Sequence, residues 1–151
     1  MGAAVSNWRL ANAVARTGHM GVVSGTGMDT VLVRRLQDGD PGGSMRRGME
    51  RFPIPGVADA VLRRYFKAGG RAAGEPYALL PLLRQVIGPA RQELIMLAAY
   101  VEVWLAREGH DGPVGINLLT KIQIPTLPTL YGAMLAGVSC VLMGSGIPRE
   151  I

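Results

Sequence analysis

Few residues in this chain of 151 have the type and placement to do chemistry. Asn117 is the first. It stands at the polar end of the apolar run Val114-Gly115-Ile116. A carboxamide there either offers donors and an acceptor to a ligand or bonds its own loop. Lys121 and Gln123 follow it on the same loop. Lys121 is one of two lysines, and it either neutralises a phosphate or an electron-rich ring or is simply solvated. Gly144-Ser145-Gly146 ends a second apolar run, and Ser24-Gly25-Thr26-Gly27 ends a third. Glycines at such ends let backbone N–H groups approach an anion or a flat ring, although a plain turn uses the same residues. Neither stretch has the spacing of a Walker loop or a Rossmann fingerprint.

Groups that could move protons or attack carbon are scarce. His19 and His110 each adjoin a glycine just before an apolar run. In a parallel sheet that is the edge away from ligands. Cys140 lies within an apolar run and reads as a small buried hydrophobe. Asp38 with Asp40, and Glu108 with Asp111, fall in turns or at a helix end and do not suit a metal. No Ser-His-Asp set can be placed. The single cysteine excludes an internal disulfide framework and a Cys-rich zinc site.

These residues must be carried by an α/β scaffold. Met20–Gly25, Val114–Leu119 and Val138–Met143 are short apolar runs bounded by turn residues. They are expected as strands buried on both faces of a parallel sheet. A helix capped by Ser6 and stopped by Gly18 precedes the first, and a helix over 129–137 precedes the third. This alternation belongs to parallel α/β folds, which bind ligands beyond the carboxyl ends of their strands. Residues 28–112 interrupt it with a connection far longer than usual. Helices are expected within it at 30–37 (capped by Asp29), 44–52, 57–68, 77–86 (around Pro81) and 89–107. Pro89 in the first turn and Gly109 beyond the end mark the last of these most clearly.

Apolar residues make up 48% of the chain and charged ones 18%, which excludes a disordered polyelectrolyte. The net charge of +5 belongs to one segment. Residues 28–91 hold eleven basic and six acidic side chains, and the rest holds five of each. Without aromatic interleaving or a binding motif, this reads as a solvated Arg-rich helical surface, and nucleic acid is not an expected partner. No apolar run is long enough to cross a bilayer, and no leader-like segment opens the chain, so a cytoplasmic location is expected.

Four motifs in order resemble one family. They are Met1-Gly2-Ala3-Ala4-Val5-Ser6, Gly21-Val22-Val23-Ser24-Gly25-Thr26, Gly115-Ile116-Asn117-Leu118-Leu119 and Val141-Leu142-Met143-Gly144-Ser145-Gly146-Ile147-Pro148. They are similar to successive strand ends of the nitronate monooxygenase (2-nitropropane dioxygenase-like) family of FMN-dependent TIM barrels. The flavin-type enoyl reductases are relatives of that family. Asn117-Leu118-Leu119-Thr120-Lys121-Ile122-Gln123 with Pro125-Thr126-Leu127-Pro128 resembles a branch with a helical insertion after the second strand.

The resemblance implies FMN across the carboxyl ends of the strands. It would be contacted by Gly2, Ser24, Gly25, Asn117, Gly144, Ser145 and Gly146, with Lys121 and Gln123 as further ligands. The implied reaction oxidises an alkyl nitronate with oxygen; an enoyl thioester is the alternative substrate, and a non-enzymatic Arg-rich helical binding module the alternative role. The expected fold is an incomplete (β/α)8 TIM barrel, first strands only, with a mainly helical insertion. Residues 1–27 begin the barrel, 28–112 form the insertion and 113–151 continue the barrel. A complete barrel takes about 250 residues. Nothing here aligns with the family's catalytic histidine or its late phosphate loops, so no residue is assigned a catalytic role. The expectation is an N-terminal portion that is inactive alone and self-associates through open sheet edges.

Overall fold

A computed structural model describes residues 2–83, 86–144 and 146. Three strands, β1 (Gly21–Ser24), β2 (Val114–Leu119) and β3 (Cys140–Gly144), form one sheet. Its order is β1-β2-β3 and both pairings are parallel. Among the described residues six helices accompany it: α1 (Trp8–Ala15), α2 (Met28–Gln37), α3 (Ser44–Met49), α4 (Val57–Tyr65), α5 (Pro89–Arg107) and α6 (Thr126–Leu135). The fold is mixed α/β with a small open parallel sheet. Among the described residues the sheet does not close on itself.

Burial is complete on one face of the middle strands only, not on both: Val22, Asn117 and Leu119, on the other face, are half-buried. Val23, Val114 and Ile116 are fully buried. Neither face of β3 is fully buried, since Val141 and Leu142 remain exposed. β3 pairs with β2 on one side only, so its outer flank lacks the cover that a neighbouring strand supplies.

Helix α5 is the hub, and its span is the one expected. Leu97, Ala99, Val103, Leu105 and Ala106 on it are fully buried. It packs on α1, α2, α6 and the sheet. It therefore serves as the crossover helix between two parallel strands, with α2 to α4 laid around it. The closest approach is to α6, where a Cβ placed on Gly132 would lie 2.1 Å from the Met96 carbonyl oxygen.

Several local expectations change. Asn7, not Ser6, caps α1, its Oδ1 accepting from the N–H groups of Arg9 at 3.0 Å and Leu10 at 3.2 Å. The two residue types cap about equally well. Ser6 is drawn away because it lies along β1. Its carbonyl accepts from Ser24 N–H at 2.9 Å, and its hydroxyl donates to the Val22 carbonyl. Asp29 lies inside the first turn of α2, whose N-cap is Gly27 at φ +64°. There its charge complements the helix dipole. Helices α3 and α4 stop short of the expected ends. α6 starts earlier, at Thr126, since Pro128 in a first turn costs no hydrogen bond.

Residues 77–83 form no helix. The buried carboxamide of Gln37 claims this strip instead, accepting from Ala78 N–H at 2.7 Å and donating to the Ala78 carbonyl at 3.3 Å. Gln37 thus occupies both backbone groups of Ala78, and Pro81 cannot donate, which removes part of what a helix would offer here.

Of the eleven basic side chains in 28–91, Arg84 lies outside the described residues, and six of the others pair with carboxylates: Arg35, Arg46, Arg47, Lys67, Arg71 and Arg91. Arg47 grips Glu108 at the end of α5 with two bonds of 2.8 Å. That grip holds the Glu108 carboxyl below its ordinary range, against the opposing effect of partial burial. A lowered folded-state pKa contributes stability above the unfolded value, about pH 4, which is lost as pH falls through the folded value. Both side chains are over a third exposed, so the contribution is a few tenths of a kcal/mol. Arg47→Ala is expected to flatten the acid limb of a melting-temperature profile by that amount; an unchanged limb would exclude the pair as its source.

Candidate functional site

The parallel strands bring several of the expected residues to one edge. Ser24 and Asn117 are register partners on β1 and β2, and Asn117 faces Leu142 on β3. Gly25 N–H donates to the Asn117 carbonyl at 2.8 Å. The Asn117 carboxamide donates to the Leu142 carbonyl at 3.3 Å, its one hydrogen bond among the described residues. Its oxygen is left to accept. The Ser24 hydroxyl is buried and has no partner among the described residues. A buried hydroxyl without a partner is costly, so this is an unmet demand at a strand end.

The glycines divide into two kinds. A Cβ at Gly25 would come within 2.4 Å of Leu118 and 2.8 Å of the Asn117 carbonyl oxygen. A Cβ at Gly146 would come within 2.5 Å of Thr120 Oγ1. Packing within the chain accounts for both. At Gly144 a Cβ would meet no described residue within 4 Å. The Gly144 carbonyl is held by Thr120, through its N–H at 3.1 Å and its hydroxyl at 3.0 Å.

The remaining expected ligands are more scattered. Gly2 is exposed and closes a turn with Val5 N–H, and the neighbouring Ala3 reaches towards Gly27 beyond β1. Lys121 and Gln123 are exposed on the loop after β2, and their side chains make no hydrogen bond among the described residues. Ser145 lies outside the described residues.

A cavity of about 420 Å³ opens beside this edge. Gly25, Thr26 and Gly27 after β1 form one wall, and Leu118, Leu119 and Ile122 form the next. Ile95 of α5 and the 79–83 strip close it from the insertion side. Its volume falls in the range of small-molecule sites. The main polar feature of the wall is the pair between Arg91 Nη2 and Asp29 Oδ2 at 2.7 Å. Asp29 Oδ1 is occupied by the Thr30 N–H at 2.7 Å. Thr126 and Thr129 bond back to the carbonyls of Ile122 and Pro125. The wall is mostly hydrocarbon, but Arg91 spends only Nη2 on Asp29, and its Nε and Nη1 are buried without a partner among the described residues.

Reasoning from sequence missed Arg91, Asp29 and the 79–83 strip as walls of one space. Arg91 and Asp29 are far apart in the chain, and no spacing rule joins them. Only the docking of α5 against α2 makes them neighbours.

The histidines lie where expected, at the amino ends of the strands. His110 donates from Nε2 to the Ala106 carbonyl at 2.7 Å and accepts at Nδ1 from Gly112 N–H at 3.0 Å. It closes the end of α5. His19 is exposed beside Thr17, 3.0 Å from its hydroxyl. Cys140 is half-buried rather than enclosed, with Sγ 3.2 Å from Met20 Sδ. No residue cluster suited to a metal ion occurs among the described residues. No helix among them is long and apolar enough to cross a membrane. No protein-family model, no curated protein and no solved structure matches the chain.

Proposed function

We propose that the chain carries the flavin-binding strand ends of an FMN-dependent oxidoreductase of the nitronate monooxygenase type. The observation that carries this reading is the pairing of two underused polar groups, Ser24 Oγ and the Asn117 carboxamide oxygen, on adjacent strand ends. The orphaned hydroxyl and the flank of Gly144, which no described residue fills, are what a polar-edged flat ring would need. The consecutive parallel order supports a further reading, that the three strands are early strands of a (β/α)8 barrel. A cytoplasmic location accompanies it.

FMN, when bound, supplies the two-electron acceptor. The chain's own residues bind and orient. Ser24 and Asn117 offer hydrogen bonds, Gly144 gives clearance, and Gly2 and Gly25 hold the lip of the first strands. Lys121 and Gln123 stand ready on the loop beyond β2 to favour a reduced, anionic ring. The apolar cavity beyond Gly25 and Leu119, which Ser24, Asn117 and Gly144 do not line, is suited to the alkyl part of a nitronate, or to an enoyl chain in the alternative. No described residue near the strand ends is proposed as a catalytic base, and no nitronate turnover is expected from these 151 residues alone.

A visible spectrum and a fluorescence titration with FMN test the reading. Bound flavin, or saturable uptake of added FMN, is expected. Colourless protein that takes up no FMN would remove the proposal. Asn117→Ala is expected to weaken FMN about tenfold, the worth of one hydrogen bond at about 1.4 kcal/mol. Unchanged affinity would take Asn117 out of the site.

A further inference from the structure

The two edges of the sheet are finished differently. The outer edge of β1 is covered, since Ser6 accepts from Ser24 N–H and donates to the Val22 carbonyl. The outer edge of β3 pairs with no strand among the described residues. Its sequence, Cys-Val-Leu-Met-Gly, has no charge, no proline and no bulge to discourage pairing.

Helix α6, joined to β3 by residues 136–139, is equally unfinished. Its inner side, with Thr129, Gly132 and Ala133, is buried. Leu127, Tyr131, Met134 and Leu135 stand four, three and one residues apart, which puts them on one stripe. Leu127 and Met134 are 66% exposed and Tyr131 is 52% exposed. Val141, on the Ile116 face of the sheet, adds to this stripe, whereas Leu142 alternates to the Asn117 face, and the stripe with Val141 presents roughly 500 Å² of surface, well within what a monomer shows in one patch. A standard interface takes about 800 Å² from each partner, a gap that Ile122, Ile124 and the strand backbone narrow.

Charge selects the occupant. Residues 122–148 are the longest uncharged stretch of the chain, while the whole chain carries +5. Two identical +5 molecules repel wherever their basic segments approach, and least where the contact lies in neutral sequence. An acidic partner would instead be drawn to residues 28–91. We propose that the α6–β3 face is the contact between two copies of this chain. A two-fold axis beside β3 sets the two β3 edges antiparallel and stacks the two α6 stripes, so that each face is its own complement.

Light scattering and sedimentation of the full chain test this. The expected result is twice the chain mass, converting to monomer on dilution. Met134→Glu is expected to raise the dimer dissociation constant at least tenfold while the circular dichroism stays unchanged. Leu127→Glu, on the same exposed stripe, serves if the first variant fails to fold. Arg63→Glu, exposed on α4, should leave the dimer intact. A monomer at every soluble concentration would overturn the proposal. So would a dimer that survives both stripe substitutions in folded protein. A mass that grows without limit would replace the closed pair by open stacking, and would overturn it as well.

Discussion

Gly132→Ala is expected to destabilise the chain by about 3 kcal/mol, at the upper end of overpacking costs and a large share of the stability of an ordinary domain. Two effects oppose each other. In a solvated helix, alanine would be better than glycine by about 1 kcal/mol. Here the added Cβ would lie 2.1 Å from the Met96 carbonyl oxygen and 2.8 Å from the carbon. The obstacle is backbone in the middle of α5, not the end of a side chain that could swing away. To admit one methyl group, α5 and α6 must separate, and α5 also packs on α1, α2 and the sheet. The clash therefore outweighs the propensity. Urea unfolding of the two proteins measures the difference. Equal or greater stability of the alanine variant would show that the helices do not cross this closely.

Glu102→Ala is the second large effect, also about 3 kcal/mol. This buried carboxylate on α5 ties together three elements. Its Oε2 accepts from Arg35 Nη1 of α2 at 2.7 Å. Its Oε1 accepts from Trp8 N–H, the first amide of α1, at 2.8 Å. Removing it strands a guanidinium and a helix N-terminal donor together. Breaking a buried pair in this way costs about 3–5 kcal/mol. Arg35 retains some contact with solvent, which sets the lower figure. Glu102→Gln keeps an acceptor for Trp8 and should cost about half as much. Replacing Arg35 by Met as well should recover part of the loss, because the stranded charge goes with it. A loss below about 0.5 kcal/mol for the alanine variant would mean that the pair is solvated and weak.

The two sites differ in how far the sequence discloses them. Gly132 sits inside a helical pattern with nothing nearby to explain it. Its meaning lies in Met96, on another helix. Glu102 looks like a surface acid within an apolar helix, and its partners come from near the amino terminus and from α2. Both effects are contacts between elements, which no local window contains. The same holds at the candidate site. Asn117 could be picked out as a strand-end carboxamide, but its placement beside the Ser24 hydroxyl comes from the parallel register. Gly25 and Gly144 look alike as strand-end glycines. Packing separates them, since Leu118 fills the space at one and no described residue fills it at the other.

Some features needed only local physics. The bounds of α5 follow from Pro89 and Gly109, because proline fits a first turn and Gly109 takes the positive φ, +77°, that ends a helix. The span of β2 follows from an apolar run between a proline and polar residues. The alternation of helix and strand, and with it the parallel sheet, rests on hydrophobic periodicity that the residues themselves display. Where two local solutions were nearly equal in energy, the fold chose between them. Ser6 and Asn7 were comparable caps, and β1 took Ser6. Residues 77–83 could coil or extend, and Gln37 took the backbone groups of Ala78 for the extended form. The sequence by itself therefore determined the three strands, most of the helices and their order. The tertiary structure decided which glycines are packed, which acid holds which arginine, and which apolar face is left uncovered. These depend on distances between residues far apart in the chain, and those distances exist only once the elements have docked.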